Sequence, residues 1–275
     1  MVVMSLSIDV EEVYIIIKDF IKTYVDNSGF KNVVIGLSGG LDSAVVAVMC
    51  KESLGRKNVF CVFMPDETTP DEDRKHQGYL VKKFDLNSKE IDITKIENKI
   101  QKIGLEKIST LTLANIKARL RMIILYKYAN ETKSLVCGTS NKSEILIGYF
   151  TKYGDGGVDF LPIGDLYKTQ VYQLANFLKI PKTIISKPPS PGLWVGQSDE
   201  NELGMSYETL DKILLELERD SDISDISKFV NVTRSDVERI SKMVIKSQHK
   251  RATPLIPKIG IRTPGFDWRA PIQEG

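Results

Sequence analysis

Val33 to Ala44 reads Val-Val-Ile-Gly-Leu-Ser-Gly-Gly-Leu-Asp-Ser-Ala, an apolar run that passes directly into a glycine-rich turn and then a helical pattern. Val33 to Leu37 has the unbroken hydrophobicity of a strand covered on both faces, and Ser43 to Cys50 reads as the helix that follows. The turn between them ends at a helix N-terminus, where backbone N–H groups point outward. Gly39 and Gly40 permit positive φ and close backbone approach, while Ser38 and Ser43 add hydroxyl donors. The natural guest of such a turn is a phosphate chain. Asp42 lies in the same turn and would repel that guest unless a divalent cation lay between them.

The commoner phosphate turn, Gly-x-x-x-x-Gly-Lys-Ser/Thr, needs a lysine where this chain has Asp42-Ser43. The Ser-Gly-Gly-x-Asp-Ser pattern instead resembles the pyrophosphate loop of N-type ATP pyrophosphatases, which split ATP between its α and β phosphates. An ordinary strand-to-helix turn of small residues is the competing reading.

The remaining chain alternates strand and helix patterns. A helix is expected from Asp9 to Val25, strands at Val59–Met64, Glu90–Ile93 and Ser134–Cys137, and helices at Asp73–Phe84, Thr94–Ile103, Leu111–Tyr128 and Tyr167–Leu178. This order predicts right-handed βαβ units in a Rossmann-like parallel sheet with helices on both faces, and ligands beyond the carboxyl ends of the strands. Further helices are expected at Tyr207–Arg219, Ile223–Val230 and from the capping box Thr233-Arg-Ser-Asp236 onward, the last ending in His249-Lys250-Arg251. A DNA-reading helix-turn-helix is disfavoured there, because no other basic stripe supports it.

With 275 residues, 42% hydrophobic and 27% charged, the chain can bury one large α/β core. Lys and Arg (38) nearly balance Asp and Glu (36), leaving a net charge of +2 that argues for neither nucleic acid nor a membrane surface. Cys50, Cys61 and Cys137 are widely spaced within apolar runs and read as core thiols of a reducing compartment. Without a leader-like start or a run approaching the roughly 20 apolar residues of a membrane span, a soluble cytoplasmic protein is expected.

Several polar segments punctuate this frame. In Asn115-Ile-Lys-Ala-Arg119-Leu-Arg121-Met122, the two arginines fall on different helix faces, so one can serve a ligand and the other a structural pair or a subunit contact, with a solvated basic face as the competing reading. Gly138-Thr-Ser-Asn-Lys-Ser-Glu144 repeats the first motif's geometry, with Thr139 able to donate to phosphate or ribose. Glu144 either completes a magnesium site with Asp42 or merely favours a helix dipole. Gly148 to Asp159 is a loop dense in glycine and carboxylates, and Lys168 sits in the first turn of a helix, where a cation needs an anion opposite it. Ser186 to Ser206, rich in proline and glycine, reads as a lid.

Taken in order, these segments resemble the ammonia-using NAD synthetase family. The matching stretches are Gly36 to Ser43, Asn115 to Met122, Gly138 to Glu144, Gly148 to Asp155 with Asp159, Pro162 to Lys168, Gln197 to Glu200 with Leu203 to Tyr207, and His249-Lys250. The resemblance implies an ATP site at Gly36, Leu37, Ser38, Gly39, Gly40, Leu41, Asp42 and Ser43 with Thr139, Lys168 and Ser190, the last standing where the family usually has threonine. It implies Mg2+ on Asp42 and Glu144, deamido-NAD on Arg119, Lys152, Asp159, His249 and Lys250, and catalytic roles for Asp42 and Lys168. It also implies a homodimer whose dinucleotide site borders the subunit interface.

The implied reaction is ATP-dependent amidation of deamido-NAD by ammonia through an adenylate. A single synthetase domain over 1–275 is expected, with a pyrophosphatase core at about 30–185, a lid and C-terminal helices at 186–275, and no glutaminase domain, because about thirty residues before the first strand are far fewer than the ~100 a domain takes. Another ATP pyrophosphatase, GMP synthetase-like or tRNA-modifying, and a non-catalytic nucleotide sensor remain as alternatives. Absent Cys-x-x-Cys pairs and basic faces weigh against the tRNA enzymes, and a sensor would not need Glu144, Lys168 and Asp159.

Overall fold

A computed structural model describes residues 6–104, 107–190, 192–194 and 196–264. Helix α1 (Val10–Asn27) leads into β1 (Asn32–Gly36), α2 (Leu41–Leu54), β2 (Val59–Phe63), α3 (Asp71–Phe84), β3 (Ser88–Glu90), α4 (Thr94–Gln101), α5 (Thr110–Thr132) and β4 (Ser134–Cys137). Then come α6 (Lys142–Ile147), α7 (Lys168–Phe177), α8 (Lys182–Ile185), α9 (Asp199–Leu203), α10 (Tyr207–Glu218), α11 (Ile223–Val230), α12 (Arg234–Lys246) and α13 (Gln248–Arg251).

The four strands form one parallel sheet in the order β3-β2-β1-β4. β1 is central, with Ile35 opposite Cys61 on one side and Cys137 on the other. Strand alternation sends Val33, Ile35, Cys61 and Cys137 toward one layer with α1, α2 and α7, and sends Val34, Val62 and Val136 toward the other with Ile124 and Ala129 of α5. Each of the buried valines contributes roughly 1.5–3 kcal/mol by leaving water. A third cluster joins Leu210, Ile213, Val237 and Ile240 of the C-terminal helices to Ile147 and Tyr167. Among the described residues, no helix is long and apolar enough to cross a membrane.

The elements follow the sequence reading closely, and their departures have local causes. α2 begins at Leu41 rather than Ser43, because Gly40 is already its N-cap. α3 begins at Asp71, where Asp71, Glu72 and Asp73 all face the positive end of the dipole. β3 lies two residues before its expected place: pairing with Cys61 fixes the strand at Ser88, while the apolar Ile91 and Ile93 that suggested a strand instead donate to Phe63 and Pro65 carbonyls as the chain leaves the sheet. The segment 186–206 is not loop throughout, since α9 lies within it; its Pro191 and Val195 fall outside the described residues. The last helix breaks at Ser247 before His249 is reached.

Candidate active site

The turn after β1 is shaped by its own hydroxyls. Ser43 Oγ donates to the Gly40 carbonyl at 3.0 Å and accepts from Ser38 N at 3.2 Å, while Ser38 Oγ accepts from Gly40 N at 3.2 Å. The N–H groups of Leu41, Asp42 and Ser43, in the first turn of α2, find no acceptor among the described residues and face a cleft. Gly39 has φ +87°, and a Cβ there would lie 2.5 Å from the carbonyl oxygen of Asp73. Its lack of side chain therefore lets the turn rest on α3. Of the two glycines that permit positive φ, only Gly39 uses it; Gly40, with φ −83°, serves as the N-cap of α2.

The second turn follows β4, the neighbour of β1. Asn141 caps α6 in a capping box with Glu144 and also donates to Asp42 Oδ1 at 3.0 Å, tying the two turns together. Lys168, at the first position of α7 and 3% exposed, pairs with Asp42 Oδ2 and lies 3.6 Å from Glu144 Oε1. Its backbone N–H donates to Ser143 Oγ at 2.9 Å, and Asp211 of α10 accepts from Thr169 N, so both protein anions and hydroxyls hold this helix start. The anion opposite Lys168 that the sequence called for is thus a pair of carboxylates.

Electrostatics bind these groups into one unit. Burial alone would lower the Lys168 ammonium, but the charges of Asp42 and then Glu144 outweigh it and raise it well above the ordinary range. Burial and then the charge of Asp42 push Glu144 up to about 8. Asp199, at the start of α9, is pushed up to about 6, chiefly by burial. Its Oδ2 accepts from Tyr207 at 3.0 Å, whereas its Oδ1 is buried with no hydrogen-bond partner among the described residues.

These groups line a cleft of about 430 Å³. One wall is held by a buried ion cluster. Asp66, wholly buried, accepts from Arg121 at 3.0 Å and lies 3.2 Å from Lys117, whose ammonium also reaches the Thr68 hydroxyl and the Leu193 carbonyl. Of the two arginines in the α5 motif, Arg121 is the structural one.

The cleft brings together most residues expected from the sequence: Gly36, Leu37, Ser38, Gly40, Leu41, Asp42, Ser43, Thr139, Glu144, Lys168, Ser190 and Lys250 all line it. Gly39, Arg119, Lys152, Asp159 and His249 do not. Arg119 donates to the Lys152 carbonyl and Lys152 to the His249 and Ala252 carbonyls, forming a chain on the surface. Asp159 uses its carboxylate on Val136 N (2.7 Å) and the Tyr126 hydroxyl (2.9 Å). Asp199, Asp73 and Lys187 also line the cleft without a role having been read for them. Lys187 stands beside a Pro-Pro pair that reads only as loop, and its partner Asp73 is 114 positions away, so no local periodicity exposes it.

Two small-residue turns at the carboxyl ends of adjacent parallel strands, one carrying a carboxylate at a helix N-terminus, define a nucleotide-binding α/β protein of the adenine nucleotide alpha hydrolase-like class. Residues 13–254 match NAD synthase. An NH3-dependent NAD+ synthetase from Sulfolobus acidocaldarius is 44% identical over 256 residues, covering 92% of this chain and 91% of that one. Among solved structures, an NMN synthetase from Francisella tularensis superposes with a TM-score of 0.82 at 31% identity, covering 92% of this chain and 100% of that one. An NH3-dependent NAD synthetase from Campylobacter jejuni, in complex with nitrate, gives 0.79 at 34% identity with the same coverage. The chain belongs to the NAD synthase family.

Proposed function

We propose that this protein is a ligase that amidates deamido-NAD to NAD with ammonia and ATP, releasing AMP and pyrophosphate. The observation that carries the reading is the cleft in which a phosphate turn bearing Asp42 meets Lys168 and Glu144, in a chain of the NAD synthase family. A carboxylate resists attack by ammonia because oxide is a poor leaving group. One oxygen of the nicotinate carboxylate therefore attacks the α-phosphorus of ATP, the bond to pyrophosphate breaks, and an acyl adenylate forms. Ammonia nitrogen then adds to the carbonyl carbon, AMP departs, and a proton is lost from nitrogen.

The N–H groups at the start of α2, with Ser38 and Ser43, bind the departing diphosphate, and Lys168 supplies fixed positive charge beside it. Thr139 and Ser190, which also line the cleft, contact the nucleotide. The free Oδ1 of Asp199 suits it to hold the incoming nitrogen and take up its proton. The α9 segment and its neighbours cover the adenylate against water.

Two carboxylates sharing one cation are donor chemistry that fits Mg2+, so Asp42 and Glu144 would be the protein groups that hold it. Among the described residues no group of three or more acidic, cysteine or histidine side chains stands ready to hold an ion without the substrate. Bound there, Mg2+ would neutralise charge on the leaving pyrophosphate.

Lys250, at the cleft edge, would meet deamido-NAD directly. The surface chain Arg119–Lys152–His249, with Asp159, suits a dinucleotide running along a boundary between two copies, and the working form is a homodimer in the cytoplasm. The test is purified protein with ATP, Mg2+, an ammonium salt and deamido-NAD, with the deamido form of NMN offered in parallel. NAD, AMP and pyrophosphate in equal amounts are expected; ADP, or AMP formed without a nicotinate acceptor, would overturn the reading. Sedimentation of the ligand-free protein checks the dimer.

A further inference from the structure

Four cations line the cleft among the described residues, and three of them are fixed by more than one partner. Lys168 has Asp42 and Glu144, Arg121 has Asp66 and the Met64 carbonyl, and Lys250 donates to the Gly148 and Phe150 carbonyls at 2.7 and 2.8 Å. Among the described residues, Lys187 has only the carboxylate of Asp73. That carboxylate belongs to the residue whose backbone supports Gly39, so the ammonium waits within a side chain's reach of the phosphate turn.

The root of Lys187 is fixed while its tip is not. Ile184, two residues into the short helix before it, is 1% exposed in the core, and the Pro189 carbonyl just after it accepts from Asp199 N at 3.0 Å. Pro188 and Pro189 stiffen the chain between these anchors. The flexible part is the four-carbon side chain, held by a single ion pair.

We propose that Lys187 is a further phosphate-binding residue of the reaction, which exchanges Asp73 for the β,γ-diphosphate of ATP and returns to Asp73 when pyrophosphate leaves. The inference rests on the turn at Ser38–Ser43 being the ATP phosphate site. A diphosphate carries more charge than one carboxylate and presents several acceptor oxygens, so it competes well for a mobile ammonium. Asp73 keeps the lysine from remaining as an unpaired charge in a half-enclosed cleft. The exchange adds a second cation to the fixed charge that Lys168 supplies beside the diphosphate.

Titration with inorganic pyrophosphate in the presence of Mg2+, alongside steady-state kinetics, tests this directly. Lys187→Met is expected to weaken pyrophosphate binding and raise KM for ATP by about tenfold to a hundredfold, while kcat and KM for deamido-NAD move by no more than about threefold. Asp73→Asn is expected to tighten pyrophosphate binding severalfold, and that gain should vanish when Lys187→Met is added, which a purely structural ion pair would not produce. Wild type binding pyrophosphate and Lys187→Met binding it equally well would overturn the role of Lys187 alone. Wild type binding neither pyrophosphate nor ATP would overturn the phosphate-turn reading beneath it. If Lys187→Met does not fold, Asp73→Asn decides: binding that is unchanged or weaker rejects the exchange.

Discussion

Lys168 and Asp42 stand 126 positions apart in sequence and form an ion pair at the centre of the cleft, with Glu144 on the lysine's other side. One cation thus holds two carboxylates that would otherwise repel each other. Asp42→Asn preserves the shape and the Asn141 contact but removes the charge. It is expected to lower kcat by at least about a hundredfold with little change in melting temperature, measured by AMP formation and thermal denaturation. Lys168→Met, which leaves the carboxylates facing each other, should instead cost about 3–5 kcal/mol of stability in urea titration as well as activity.

The same pairing separates metal dependence of turnover from metal dependence of the fold. Chelation with EDTA should abolish AMP formation and added Mg2+ restore it, yet the melting temperature of the ligand-free protein should not move, because Lys168 already pairs with Asp42 while burial and the Asp42 charge favour the neutral form of Glu144. A marked fall in melting temperature on chelation would show that a metal, rather than the lysine, joins the turns in the resting protein.

Two glycines with positive φ should respond differently to the same substitution. Gly29→Ala, at φ +73° with nothing within 4 Å of the added carbon, should cost only the backbone term of about 1 kcal/mol. Gly39→Ala adds a 2.5 Å collision with the Asp73 carbonyl, so α3 must shift. A loss of about 3 kcal/mol and a raised KM for ATP are expected at Gly39 only, read by denaturant titration and initial rates.

Asp66 offers a pH test. Burial would raise its carboxyl, but the Thr68 hydroxyl, Arg121 and Lys117 outweigh burial and hold it below its ordinary 3.8. A depressed acid contributes stability above its unfolded value and loses that contribution as pH falls through the folded value. Asp66→Asn should therefore cost about 3 kcal/mol at neutral pH, leaving Lys117 with only Glu97, and the gap from wild type should stay constant down to about pH 5 and narrow below pH 4. Urea titrations across pH measure it.

Much of this site is legible in the chain because its signals are local. The apolar run into Ser38-Gly39-Gly40 announces strand, turn and helix together, and Lys168 at a helix start is conspicuous because the dipole opposes it. What stays hidden depends on distant partners. Lys117 reads as one more polar residue of α5 and Asp66 as part of an acidic loop, yet they meet in the interior across 51 positions. Gly39 and Gly40 both permit positive φ, and composition cannot tell the left-handed glycine from the one that merely caps a helix. Ile91 and Ile93 drew β3 forward because hydrophobicity marks burial, whereas hydrogen bonding to β2 sets where the strand ends. Arg119 and Asp159 were placed by resemblance, and their positions away from the cleft follow from contacts with Lys152, Tyr126 and Val136 that spacing does not encode.

β1 and β4 are hydrogen-bonded neighbours, with Ile35 opposite Cys137, and each releases one of the cleft's two turns within a few residues of that shared rung. The two turns are therefore mounted on a common chassis. Bending of the outlying helices can widen or narrow the mouth, but both turns start from strands held at the spacing of a hydrogen-bonded pair, roughly 4.8 Å, which heat and solvent hardly alter.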